Sequence, residues 1–264
     1  MSDLHEHSHA HASPKKDDFS AYVLPLSILL AAVILSFSIT SAADSLGTSL
    51  SGAAMVGDGN PLPPAGSGDG ELVPSNVPVM AELMDNAAGV LGSDSAPVIM
   101  IEYSDYQCPF CRAWYNSSKD NIVQKYVDSG KVQLVFKDFP LSFHPLAAYT
   151  ANAARCAADQ GKFWEFHDKV FDEQNIADPS GGTVNYTQAD VKQWGADLGL
   201  NTTQFNACAD AETYAAEIQD NMSEGQAVGV TGTPSFLIGL RNAQGQVIVG
   251  AQPYATFDAL LASL

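Results

Sequence analysis

The sequence predicts an α/β domain in which a small sheet carries an inserted block of helices. Three observations predict it. An apolar, β-branched run at 98–103 passes through a short turn into Cys108-Pro109-Phe110-Cys111 and then into helical spacing. A second strand pattern, KVQLVFKDF, follows at 131–139. Finally, two short strand patterns at 235–238 and 246–249 are joined by a turn rich in Asn and Gly, and an amphipathic segment closes the chain at 254–264. The order is strand, helix, strand, helical insert, hairpin, helix.

Ahead of this domain lie three segments of different composition. The first residues, at 1–18, alternate His5, His7, His9 and His11, a spacing that holds zinc, nickel or copper loosely. Residues 19–43 carry no charge and are mostly apolar, long enough at helical rise to cross a bilayer core of roughly 30 Å. A transmembrane anchor is expected there; a cleaved signal peptide is the rival, since Ser41-Ala42-Ala43 offers small residues for cleavage. Lys15 and Lys16 precede the span, and no Lys or Arg follows until Arg112. The positive-inside rule then puts the N-terminus in the cytoplasm and the catalytic domain outside. Residues 44–83, rich in Gly, Ser and Pro, read as a flexible linker. The chain has 264 residues and a net charge of −18, which argues against nucleic acid and anionic lipid as partners of the folded part.

The chemistry is expected at the strand-to-helix junction. The thiolate, not the thiol, attacks a disulfide, and unpaired N–H groups at a helix N-terminus favour a negative sulfur at Cys108. Pro109 suits the first helical turn. Cys111, one turn on, lies on the same face and can close a disulfide with Cys108. Cys108 is expected to be the exposed nucleophile and Cys111 the buried resolver. Zinc is a poor competitor, because no second CxxC or CxxH occurs in the chain. An inert structural disulfide is the other competing reading.

Glu102 interrupts the apolar strand. Buried there, it would accept the proton that Cys111 must lose; at an exposed edge it would do nothing of the kind. Lys137 is a candidate counter-charge. The helix after Cys111 is expected to end at Gly130. Helices follow at 146–160, 162–174 and 211–227, with two more between them, one capped by Thr187 and Asp190 and one by Asn201 and Gln204. His144 reads as structural, and His167 as a surface or packing residue.

Four stretches carry a resemblance: EYSDYQCPFC, FKDFPLSFHPLA, CAADQGKFWEFHD and GVTGTPSFLIG. Together they span about 84–264, with a helical insert at about 141–228. This region resembles the DsbA-like family of thiol-disulfide oxidoreductases, which have a thioredoxin fold. The resemblance implies that Cys108 attacks and Cys111 resolves. It matches Thr233-Pro234 to the family's cis-proline loop, where the Thr233 backbone would pair with an extended substrate, and Glu102 to its buried acid. It also implies a redox-active disulfide with no other cofactor, unfolded or cysteine-containing secreted proteins as substrates, and a DsbB-like membrane redox partner. One departure is Phe110, where DsbA proper has His; loss of that donor predicts a less oxidising dithiol.

Cys156 and Cys208 fall in the insert. Paired, they would contribute roughly 4 kcal/mol by closing a long loop; buried free thiols or a second redox relay are the alternatives. The expected function is a membrane-tethered, extracytoplasmic oxidoreductase. A reductase or isomerase of the same fold, a metal-handling thiol protein and a binding module without redox chemistry compete with it.

Overall fold

The computed structural model describes residues 78–264. The His-rich tail, the apolar span at 19–43 and the linker as far as residue 77 lie outside the described residues. Among the described residues no helix is long and apolar enough to cross a membrane.

A five-stranded sheet has the order β1-β3-β2-β4-β5, with β1 at Gly89–Leu91, β2 at Val98–Ser104, β3 at Val132–Asp138, β4 at Ser235–Leu240 and β5 at Gln246–Val249. Strands β2 and β3 run parallel, and the other pairings are antiparallel. Every residue of β2 is buried, as expected for a central strand covered on both faces. Its alternate side chains serve different cores. Val98 and Met100 pack with Trp114, Phe257 and Leu261, whereas Ile99, Ile101 and Tyr103 pack with Met80, Leu83 and Val228.

Helix α1 connects β2 to β3. It begins as Pro109–Trp114, widens into π turns at Tyr115–Lys119 and Val123–Val127 around Asp120–Ile122, and ends before Gly130, whose φ is +76°. The wide first turn leaves both Ser118 and Lys119 buried. The insert comprises α2 (Ala147–Ala158), α3 (Phe163–Ala177), α4 (Gln188–Asp197), α5 (Thr202–Asp210) and α6 (Ala215–Ala227). Thr187 and Asp190 form the expected capping box on α4, and the Asn201 side chain accepts from the Gln204 N–H to cap α5. Helix α7, Tyr254–Ser263, buries Phe257 and Leu261.

Two polar devices hold the insert on the sheet and to itself. Arg155 of α2 donates through Nε to Asp138 Oδ2 at 2.6 Å, and its other nitrogens reach Asn86 and Asn221. Cys156 and Cys208 form a disulfide, with Cα atoms 5.9 Å apart, tying α2 to α5.

Three boundaries differ from expectation. The folded region starts earlier than 84: Met80 and Leu83 are in the core, in a short 3₁₀ turn at Met80–Met84. Strand β1 was not expected, because three residues are too few to show alternation. Helix α6 starts at Ala215 rather than 211, because Glu212 has a φ of +49°.

Candidate active site

The β2–α1 junction builds the site. Cys108 is the N-cap of α1, with extended backbone (φ −73°, ψ 120°), and Pro109 takes the first helical position. The turn before it is held by Asp105. That side chain accepts from the Gln107 N–H at 2.7 Å and the Leu141 N–H at 2.7 Å, and meets His144 Nδ1 at 2.8 Å. Asp105 therefore joins the CxxC turn to the loop after β3. His144 takes part in this arrangement through its contact with Asp105. Gln107 adds a second tie, accepting from the Leu146 N–H at 2.5 Å. Arg112, one residue past the motif, is buried and donates to the carbonyls of Gln174 and Gly182. Sequence reasoning passed over Asp105, Gln107 and Arg112. A Ser-Asp ahead of the turn was the available signal for the first, since Asp side chains accept from backbone N–H two residues on.

Opposite the dithiol lies the loop before β4. The Thr233–Pro234 peptide bond is cis, in line with the expected cis-proline loop. As a thiol, Cys108 Sγ donates to the Thr233 carbonyl oxygen at 3.4 Å. That loop covers the sulfur, so Cys108 is only 3% exposed, contrary to the exposed nucleophile expected; Cys111 is fully buried. Both are free thiols.

The two sulfurs differ sharply in acidity. The hydrogen bond offered by the Cys111 thiol is the main cause that lowers Cys108 to about 6, with help from Thr233 and the backbone N–H groups of Cys111 and Phe110, against the cost of burial. Of the two Thr233 groups, the carbonyl pairs with the thiol, whereas the hydroxyl is buried without another partner among the described residues and can turn to the thiolate. Cys111 is pushed well up, by burial first and then by Cys108 and Glu102. An acidic thiol and a reluctant one, one helical turn apart, form a polarised pair.

Glu102 is 1% exposed, and neither carboxyl oxygen has a hydrogen-bond partner among the described residues. Burial raises it to about 8, with Ser104 and Lys119 opposing the shift. Lys137 is not its counter-charge. It sits opposite Tyr103 in the β2–β3 register, one residue out of phase with Glu102, and so points to the other face of the sheet. There it pairs with Glu224 at 3.1 Å and donates to the Asp85 carbonyl. Of the two readings of His167, packing holds and surface does not: it is fully buried on α3 among aromatic rings. Two large apolar side chains face outward, Phe110 within the CxxC at 65% and Phe143 beside His144 at 73% exposure. Among the described residues no group of His, Cys, Asp and Glu is arranged to hold a metal ion.

A sheet of this order, a CxxC at the head of the helix after its central strand and a cis proline facing it define a thioredoxin-fold protein with a reactive dithiol. The family model described as Thioredoxin matches residues 85–262, and the chain belongs to that family. Among relatives, it is 29% identical over 150 residues to the probable disulfide bond formation protein D of Bacillus anthracis, covering 56% of this chain and 68% of that one. It is 30% identical over 171 residues to the Na(+)/H(+) antiporter NhaA 3 of Salinispora tropica, covering 64% of this chain but only 24% of the antiporter's length. In fold it is similar to the crystal structure of oxidised BdbD from Bacillus subtilis, with a TM-score of 0.59 and 22% identity, covering 68% of this chain and 93% of that one. It is similar also to the crystal structure of alpha-DsbA1 from Wolbachia pipientis, with a TM-score of 0.58 and 25% identity, covering 70% of this chain and 95% of that one, so the fold is of the DsbA type.

Proposed function

We propose that the protein is a thiol-disulfide oxidoreductase that exchanges disulfides with cysteine-containing proteins through Cys108 and Cys111. The observation that carries this is geometric: a pair of free cysteines heads α1, with Cys108 Sγ 3.4 Å from the Thr233 carbonyl of the cis-proline loop. In the oxidising direction a substrate thiolate attacks Cys108 of the Cys108–Cys111 disulfide. Its electron pair forms the new S–S bond, and the pair of the broken bond leaves on Cys111, which takes up a proton. A second substrate thiolate then attacks the substrate sulfur of the mixed disulfide, and Cys108 departs as a thiolate. Its low pKa makes it a good leaving group, which favours oxidation of substrates. The names of the Bacillus relatives support the same direction.

Glu102 gives Cys111 its proton in this direction and accepts it again when the dithiol is reoxidised, and Thr233 with Pro234 receives an extended substrate segment beside Cys108. Exposed Phe110 and Phe143 suit substrates whose apolar side chains are not yet buried. The uncharged run at 19–43 would anchor the enzyme, N-terminus in the cytoplasm, with the linker giving reach and a DsbB-like membrane protein reoxidising the dithiol. A reductase or isomerase would use the same residues.

The test is the equilibrium reduction potential of the full chain against glutathione, with thiol trapping and mass spectrometry. A value near −120 mV supports an oxidase, and one near −270 mV a reductase, these being roughly the DsbA and thioredoxin ends of the scale. Cycling of Cys156 and Cys208 in place of Cys108 and Cys111 would overturn the assignment.

A further inference from the structure

The α1 face of the sheet holds a second set of buried polar groups that the dithiol chemistry above does not use. His167 Nδ1 lies 2.7 Å from Asp168 Oδ1, and Lys119 Nζ lies 2.7 Å from the same oxygen. His167 is completely buried, and its Nε2 has no hydrogen-bond partner among the described residues. With Asp168 accepting from Nδ1–H, Nε2 carries the lone pair. It is an acceptor in want of a donor. Glu102 is the complementary orphan, a buried carboxyl whose protonated form is a donor in want of an acceptor.

Their placement brings these orphans to one layer. Glu102 sits directly opposite Phe136 in the β2–β3 register, on the same face. The Phe136 ring lies 5.2 Å from the His167 ring, and Tyr106 packs on both at 5.4 and 5.9 Å. Lys119 and Asp168 both act on Glu102 electrostatically. At the other end, Asp168 reaches the surface with its side chain 37% exposed. A buried polar atom is rarely left unpaired in a native protein, and bound water commonly joins such groups.

We propose that His167 and Asp168 carry the proton of Cys111 between Glu102 and the surface of the domain. This rests on the reading of Cys108 and Cys111 as the redox pair. When the enzyme is oxidised, Cys108 is held in a mixed disulfide with a partner thiol, and Glu102 first passes its own proton through a bound water to His167 Nε2. The carboxylate left behind takes the proton as the Cys111 S–H bond breaks. The electron pair of the Cys111 sulfur forms the bond to Cys108 Sγ, and the partner departs as a thiolate with the pair of the old S–S bond. Asp168 steadies the imidazolium through Nδ1–H, and the proton passes to solvent at the exposed carboxylate. Reduction runs the route backwards. Neither residue touches a sulfur, so both are positioning residues that act through Glu102. The groups facing the route are Cys111 and Ser104 at Glu102, Lys119 and Tyr115 from α1, Tyr106 from the turn, and Asp172 from α3.

The experiment loads Cys108 of the full-length protein with glutathione as a mixed disulfide and follows glutathione release by Cys111 from pH 5 to 9. His167→Gln, which cannot take a proton, is expected to slow release about 10-fold near neutral pH and to flatten the pH profile, with the equilibrium reduction potential unchanged. Asp168→Asn, an isosteric change on a partly exposed side chain, is expected to change the profile likewise and decides the matter if His167→Gln lowers the melting temperature. Profiles of both variants that superimpose on the wild type, with Glu102→Gln alone slowing release, would overturn the route while leaving the dithiol reading intact. No release from the wild-type protein would overturn the dithiol reading itself.

Discussion

Cys108 Sγ lies 3.4 Å from the carbonyl oxygen of Thr233, a residue 125 positions later in the chain. That contact joins the head of α1 to the cis-proline loop and places both donors and acceptor at the reactive sulfur. Hydrogen bonds from the Cys111 thiol first, and from the Thr233 side chain and the backbone N–H groups of Cys111 and Phe110, should make Cys108 titrate near pH 6, against 9.0 for an ordinary cysteine. The folded pKa is depressed, so stabilisation of the reduced protein is complete above about pH 9 and is lost as pH falls through 6. Alkylation rates between pH 4 and 9 measure this, with Cys111 silent. Thr233→Ala, which removes the hydroxyl, should move the midpoint upward by up to about one unit.

Glu102 must gain a proton on folding near neutral pH, because its carboxyl rises from 4.5 to about 8. A raised carboxylate pKa destabilises: the penalty is absent below pH 4.5, grows as pH rises and levels off above 8. Glu102→Gln should accordingly gain stability relative to wild type with rising pH. The difference between pH 5 and pH 7 should be about 3 kcal/mol or somewhat less. Urea unfolding at both pH values checks the sign; a gap that shrinks with pH would contradict the buried placement.

The Cys156–Cys208 disulfide spans a sequence separation of 52. Constraint of the unfolded chain predicts a loss of about 2–4 kcal/mol in the Cys156→Ala, Cys208→Ala double variant. The pH profile of Cys108 alkylation should not move, since the disulfide lies within the insert. A changed profile would instead indicate a redox relay between the two pairs.

Arg155 is the polar bolt between insert and sheet. Its Nε bonds Asp138 at 2.6 Å, and the Asp138 carboxylate is fully buried. Removing one partner strands the other charge, so Arg155→Ala should cost about 3–5 kcal/mol. Arg155→Lys should rescue little, because one ammonium cannot bond Asp138, Asn86 and Asn221 together. Chemical denaturation of both variants tests this.

Local signals were legible in the sequence. The CxxC at a strand-to-helix junction, the capping box at Thr187 and Asp190, the hairpin at 235–249 and the closing helix each depend on residues a few positions apart. Helix caps, turns and amphipathic spacing act at that range, so sequence alone determined the order of the elements from β2 onward and the position of the dithiol, whereas the burial of the Glu102 carboxyl was decided by the fold. What tertiary structure decided were relations between distant segments. Three-residue β1 exists because β3 offers it an edge. Strand parity sends Lys137 away from Glu102. The loop at Thr233 covers Cys108, and α3 carries His167 into the layer above Phe136. Burial and charge environment are sums over neighbours from many parts of the chain, and only the packed fold brings those neighbours together.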